Sequence, residues 1–147
     1  GVVVSPVLGE TYVATEGGGA TVNGTALEAA EPASVARSVV GTGFGYDPDR
    51  RARQGAVVAA VISQIADIRR GGSAALDLCS VASGQLDAYW EVGLNPWDHA
   101  AGSLIAREAG AFVEPIREDQ SLLEDGHLIC GTEAIFDQFA KVIRTRD

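Results

Sequence analysis

Methionine is absent from the 147 residues, and cysteine and histidine occur only twice each. Cys79 and Cys130 stand far apart, each in an apolar setting (LDLCSVAS and HLICGT), and form no CxxC pair. That reads as two buried free thiols rather than a disulfide or a ligand pair. His99 and His127 are too few and too scattered to complete a zinc site with them, so no transition-metal centre is expected. No apolar run approaches the roughly 18 residues of a membrane span, and no basic segment leads into an apolar stretch and cleavage site. A soluble, cytoplasmic protein without a membrane partner is the expectation. Positive charge is also scarce: 11 basic residues against 20 acidic ones give a formal net charge of -9. Such a field repels nucleic acid and anionic lipid, and a phosphate handled by this chain would need the help of a cation.

What remains is the composition of a folded protein. The chain is 46% hydrophobic and 21% charged, with 18 glycines and no repeat of solenoid period. Its length suits one domain over residues 1–147, able to bury roughly 68–70% of its unfolded surface. Because it opens inside a strand-like run and has no methionine, the sequence reads as a piece of a longer protein.

Local patterns alternate strands with helices. GVVVSPVLGETYVATEGGGATVNG carries two alternating apolar runs, Val2 to Val4 and Tyr12 to Ala14, in the manner of a hairpin. SVARSVVG (34–41) predicts a strand. Asp47-Pro48 opens a helix running to about Gln64, and Ile65 to Arg70 is the next strand, broken by Gly71-Gly72. Ser73 caps a short helix whose Ala75, Leu78, Cys79 and Ala82 share one face, with Gly84 as its stop. Leu86 to Val92 alternates as a strand, placing Asp87, Tyr89 and Glu91 opposite the apolar face. Asn95-Pro96-Trp97-Asp98 then combines an N-cap, a first-turn proline and an acid at the third position, ahead of an Ala101, Leu104, Ile105 stripe. Ala111 to Pro115 and His127 to Cys130 are two further strands around the acidic loop REDQSLLEDG. A final helix, capped by Thr132, buries Ile135, Phe136, Phe139, Val142 and Ile143. The alternation argues for a layered α/β fold.

Taken singly, the polar residues have ordinary explanations. An acid in the first helical turn, such as Asp98, serves the helix dipole and free backbone N–H groups. Glu91 at a strand end is the kind of carboxylate that is usually just solvated. Gly71-Gly72-Ser73-Ala74 could cradle an anion or simply join a strand to a helix. Their succession is more specific than any one of them: a glycine-led helix start, a strand ending in Glu, then Trp-Asp opening an alanine-rich helix.

In that succession the sequence resembles the inositol monophosphatase family of lithium-sensitive, Mg²⁺-dependent sugar phosphatases. EVGLNPWDHAAGSLIAREAGAFV is similar to the family's C-terminal W-D-x-A-[AG]-[GA] signature with E-A-G-G beyond it, and the opening segment is similar to its central hairpin. The resemblance runs from residue 1 to the final helix. It implies the C-terminal half of an α-β-α-β-α layered sandwich. By the same resemblance Asp98 is a catalytic residue that ligates Mg²⁺ and approaches the substrate, Glu91 accepts a substrate hydroxyl, and the backbone of Gly72, Ser73 and Ala74 lines the sugar pocket. Two upstream motifs of the family, G-E-E and D-P-[IL]-D-G-[ST], supply most of its metal ligands, and neither is present; Asp47-Pro48-Asp49 lacks the second Asp-Gly and opens a helix elsewhere in the chain.

The expected function is hydrolysis of inositol monophosphate or a related polyol phosphate by metal-activated water, in a homodimer that binds no nucleic acid. Within the superfamily the alternatives are fructose-1,6-bisphosphatase, histidinol-phosphatase and 3'(2'),5'-bisphosphate nucleotidase. Outside it, the alternative is a non-catalytic half that binds a polyol or pairs with another subunit.

Overall fold

A computed structural model describes residues 1–32 and 34–145. Two sheets and two pairs of helices are stacked in the order β-α-β-α. The first sheet is an antiparallel meander of β1 (Val2–Ser5), β2 (Glu10–Ala14), β3 (Ala20–Val22) and β4 (Thr25–Ala26). The second has five strands in the order β6-β5-β7-β9-β8, formed by β5 (Val39–Thr42), β6 (Asp67–Arg69), β7 (Ala88–Glu91), β8 (Ala111–Pro115) and β9 (Leu128–Thr132). β5 runs parallel to both β6 and β7, whereas β9 is antiparallel to β7 and β8.

Helices α2 (Ala74–Ala82) and α3 (Pro96–Glu108) fill the space between the sheets. Cys79 and Ala82 of α2 and Ile105 of α3 pack on Val3, Tyr12 and Ala14 of the first sheet. Leu78, Val81 and Ala106, on the other sides of the same helices, pack on Tyr89, Val113, Leu128 and Cys130 of the second. The two helices approach closely because Gly102 has no side chain: a Cβ there would lie 2.9 Å from Leu78 Cβ and 3.1 Å from the Ala75 carbonyl oxygen. On the far side of the second sheet, α1 (Pro48–Val61) and α5 (Phe136–Arg144) bury Val57, Val61, Phe139 and Ile143 against Val40, Trp90 and Ile129. A four-residue helix, α4 (Leu122–Asp125), interrupts the acidic loop.

These are four of the five layers that the α-β-α-β-α arrangement requires. The outer face of the first sheet carries Val2, Val4 and Val13 at 58%, 54% and 40% exposure. No helix of the described residues is long and apolar enough to cross a membrane. Both cysteines are free and buried.

Several sequence expectations shift. Residues 34–41 divide into a 3-10 turn at Val35–Arg37, closed by the Ser38 N–H on the Val35 carbonyl, followed by β5. α1 ends at Val61 rather than Gln64, and β6 is confined to Asp67–Arg69. Thr132 does not cap the last helix: its N–H is held by the Asp87 carbonyl and it pairs with Ala111 as the end of β9, so α5 starts only at Phe136. On α3 the expected apolar stripe is only partly the buried face. Ala101 and Leu104 are half-buried while His99, Gly102 and Ser103 are fully enclosed, because this helix is covered from more than one side.

Candidate active site

Parallel strands deliver their C-terminal ends to one edge of the sheet, where ligand sites of open α/β sheets form. β5, β6 and β7 therefore bring Gly43, Arg70 and Glu91, each at or just past its strand end, to a common side. The loop after β7 turns at Gly93 and enters α3 through Asn95-Pro96, and the turn after β6 enters α2 through Gly72-Ser73. Between these segments lies a cleft of about 730 Å³. Glu91, Asp98, Gly72, Ser73 and Ala74, which come from separate stretches of the chain, all line it.

Each wall has an identifiable local cause. Gly72 has φ +94°, a conformation open to glycine, and it turns the chain so that Ser73 Oγ accepts the Leu76 N–H and starts α2. Asp98 starts α3 in the same manner. The Asn95 N–H donates to Asp98 Oδ2 at 2.9 Å, and the Asn95 side-chain amide reaches the same oxygen at 3.3 Å. Oδ1 accepts no hydrogen bond among the described residues, so one carboxylate oxygen serves the helix start and the other is uncommitted. The loop between β7 and α3 is stitched down by the Leu94 N–H on the Gly126 carbonyl at 3.0 Å. Gly126, at φ +63°, has no room for a Cβ against the Leu94 backbone.

Glu91 is not the solvated strand-end carboxylate that its local pattern suggests. It accepts a hydrogen bond from the Tyr89 hydroxyl, and its carboxyl packs so closely on Gly43 that a Cβ at that position would overlap it. Burial raises its pKa above the ordinary glutamate value, with the Tyr89 hydroxyl and Arg70 opposing the rise. Tyr89 is itself completely buried, and its phenol is pushed far above the usual range by desolvation and the nearby Glu91 charge. The strand is thus covered on both faces. The polar side inferred from alternation points into the layer of α2 and α3, where Tyr89 packs beneath Leu78 and Ala106.

Four further residues escaped the sequence reading. Asp77 of α2 is 6% exposed, its carboxyl close against Gly71; burial, reinforced by the charge of Glu91, pushes its pKa up to about 6. Arg50 and Arg70 line the cleft, and neither joins an ion pair among the described residues. The Arg50 side chain lies along Gly45 and Gly93, at both of which a Cβ would collide with it. His99, next to Asp98, is 2% exposed with neither ring nitrogen hydrogen-bonded, and burial lowers its pKa. No local signal in the sequence marks the two arginines, which stand 41 and 21 positions before Glu91.

Asp98 Oδ1 suits a hard cation such as Mg²⁺, which accepts one or two carboxylates together with water and phosphate oxygens. No group of three or more His, Cys, Asp or Glu suited to a metal occurs among the described residues.

The chain is a two-sheet layered α/β scaffold with a polar cleft at the ends of its parallel strands, floored by a glycine-led helix start and walled by Trp-Asp. Residues 1–146 match the inositol monophosphatase family, and the chain belongs to it. Among its relatives, the protein named Nus factor SuhB of Haemophilus influenzae is 40% identical over 145 residues, spanning 98% of this chain and 54% of its own length. The inositol-1-monophosphatase of Mesorhizobium japonicum is 37% identical over 147 residues, again with 54% of its length covered. The crystal structure of the extragenic suppressor protein SuhB from Bartonella henselae superposes with a TM-score of 0.90 at 31% identity, covering 97% of this chain and 56% of that one. The chain therefore spans about half the length of the proteins it matches.

Proposed function

We propose that this chain supplies the substrate pocket and one metal-binding carboxylate of an Mg²⁺-dependent phosphomonoesterase acting on inositol monophosphate or a related polyol phosphate. The observation that carries the reading is the convergence of Glu91, Asp98 and the Gly72-Ser73-Ala74 helix start on one cleft. In its ionised form Glu91 accepts a substrate hydroxyl, and the Tyr89 hydroxyl fixes the orientation of its carboxyl. The start of α2 offers backbone N–H groups to electron-rich oxygens, which the helix dipole favours. Asp98 presents Oδ1 to the cation while Oδ2 holds the helix in place. Mg²⁺ held by Asp98 would supply the positive charge that an acidic protein otherwise lacks at a phosphate and would lower the pKa of a water bound to it. The remaining metal ligands come from outside these residues. The working enzyme is a cytoplasmic homodimer, with no role for nucleic acid or membrane as substrate.

A ranking of kcat/KM by the complete enzyme over inositol monophosphate, histidinol phosphate, fructose 1,6-bisphosphate and adenosine 3',5'-bisphosphate tests the assignment. A monophosphorylated polyol is expected to lead. If a bisphosphate leads by orders of magnitude, the role given to Glu91 is wrong. The incomplete donor set favours a second reading for the 147 residues taken alone, as a non-catalytic half that holds a polyol or pairs with another subunit. Inositol binding without phosphate release by the isolated chain would support it.

A further inference from the structure

A second cavity, of about 480 Å³, lies on the other side of the sheet from α2 and α3, between α1, the end of β7 and α5. Its volume falls within the range of small-ligand sites. Its charged lining has one sign. Arg50 and Arg53 supply it, no Asp or Glu faces the cavity, and the His127 ring adds a polar edge, in a protein of net charge -9. Apolar surface completes it, with Trp90, Val57 and Ile143 among the lining side chains. Neither arginine forms an ion pair among the described residues. His127 Nδ1 lies 3.1 Å from Gln120 Nε2, and the other end of that amide, Oε1, accepts the Arg117 N–H at 3.1 Å.

The polar frame is built rather than incidental. Gln54, 6% exposed, uses both ends of its amide: Oε1 accepts the Gly45 N–H at 2.9 Å and Nε2 donates to the Gly43 carbonyl at 3.4 Å. This holds the loop that separates the cavity from the cleft. Arg50 belongs to both spaces, its side chain threaded between Gly45 and Gly93.

We propose that this cavity is a second binding site, for a small carboxylate carried on an aromatic or short aliphatic body, and that its occupancy is linked to the cleft through Arg50. Guanidinium groups grip the carboxylate by paired N–H donors while the apolar body covers Trp90 and Val57. An anion in either space draws on the same Arg50 charge, so the two sites oppose each other, and reciprocally.

Calorimetric titration of the complete protein with 4-phenylbutyrate at low salt tests the site. Saturable one-to-one binding is expected, weakened about 10-fold or more by Arg53→Gln, as loss of a charged hydrogen bond implies. Arg53 is exposed on α1 and lines the second cavity but not the cleft, so this variant is expected to fold and to keep its basal phosphatase activity. Arg70→Gln, which alters the cleft alone, is expected to leave the probe's affinity unchanged. Absence of binding, equal binding of the neutral 4-phenylbutyramide, or weakening by Arg70→Gln in place of Arg53→Gln would each overturn the site. A KM for the polyol phosphate that does not rise at saturating probe would overturn the link through Arg50.

Discussion

Asp98 is asked to do two things, and a pair of substitutions separates them. Asp98→Asn keeps an oxygen to accept the Asn95 N–H, now 2.9 Å from Oδ2, but removes the charge from the start of α3. The lost charge–dipole attraction costs about 0.3–1 kcal/mol. Asp98→Ala removes the acceptor as well, raising the cost to about 1–2 kcal/mol, the usual range for losing a capping group. At about 2–4 °C per kcal/mol for a domain of this class, the asparagine variant should melt only slightly below wild type and the alanine variant several degrees lower. Activity should not follow that order. Both variants lose the anionic oxygen meant for the cation, so both should fall by at least about 100-fold in kcat, the scale of removing one preorganised electrostatic partner. Phosphate release by the complete enzyme and thermal melts of the same preparations check this. If Asp98→Asn kept activity within a few-fold of wild type, or if activity tracked melting temperature across the pair, Asp98 would be a helix cap and the metal assignment would fail.

Gly43→Ala places a methyl group where the Glu91 carboxyl now lies, so Glu91 must swing away; KM for a polyol phosphate should rise about 10-fold or more with a small change in melting temperature, and an unchanged KM would remove Glu91 from the binding surface. Asp77 has a folded pKa of about 6, above its ordinary 3.8, so the folded state binds the extra proton. Its stabilising contribution is complete below about pH 4 and is lost as pH rises through 6. Asp77→Asn should therefore stabilise the fold at pH 8 by about 2–3 kcal/mol relative to its effect at pH 4, as read from urea midpoints; parallel pH curves would contradict the burial argument. Phe139 is fully buried with its ring edge-on to Trp90 at 6.0 Å, and Phe139→Ala should cost about 3–5 kcal/mol by leaving a cavity beneath α5, measured by denaturant unfolding.

The helix starts were the most legible part of the fold, because capping is local chemistry. Ser73 and Asn95-Pro96 mark α2 and α3 to the residue. Thr132 misled for the same reason: a threonine ahead of an apolar stripe looks like a cap, and only the pairing of β9 with β7 and β8 shows that its backbone is already in use. β7 misled differently. Alternation suggests one wet face, but a tyrosine can bury its ring and direct its hydroxyl to a carboxylate, and the alternating pattern does not record that. Among site residues, Glu91, Asp98 and the Gly72-Ser73-Ala74 segment were found through a motif, and the structure brings them to one cleft without assigning their roles. Asp77 was missed because an acid in a short helix normally marks the solvent side, and here α2 has little solvent side. Arg50 was missed because its place depends on the first turn of α1 lying over the end of β7, a contact between residues some forty positions apart.

The common end shared by β5, β6 and β7 separates the scaffold from what it recognises. Each strand is held by its ladder, and β5 and β7 also by the helices on either side, while the walls of the cleft are made by the connections that follow the strands. An insertion, deletion or exchange in one connection rebuilds one wall and leaves the pairing register alone. Diversification of substrate preference on this framework is therefore modular: lengthening the segment after β5 would close the mouth around Tyr46, altering the turn after β6 would resize the floor, and neither would need a compensating change in the core.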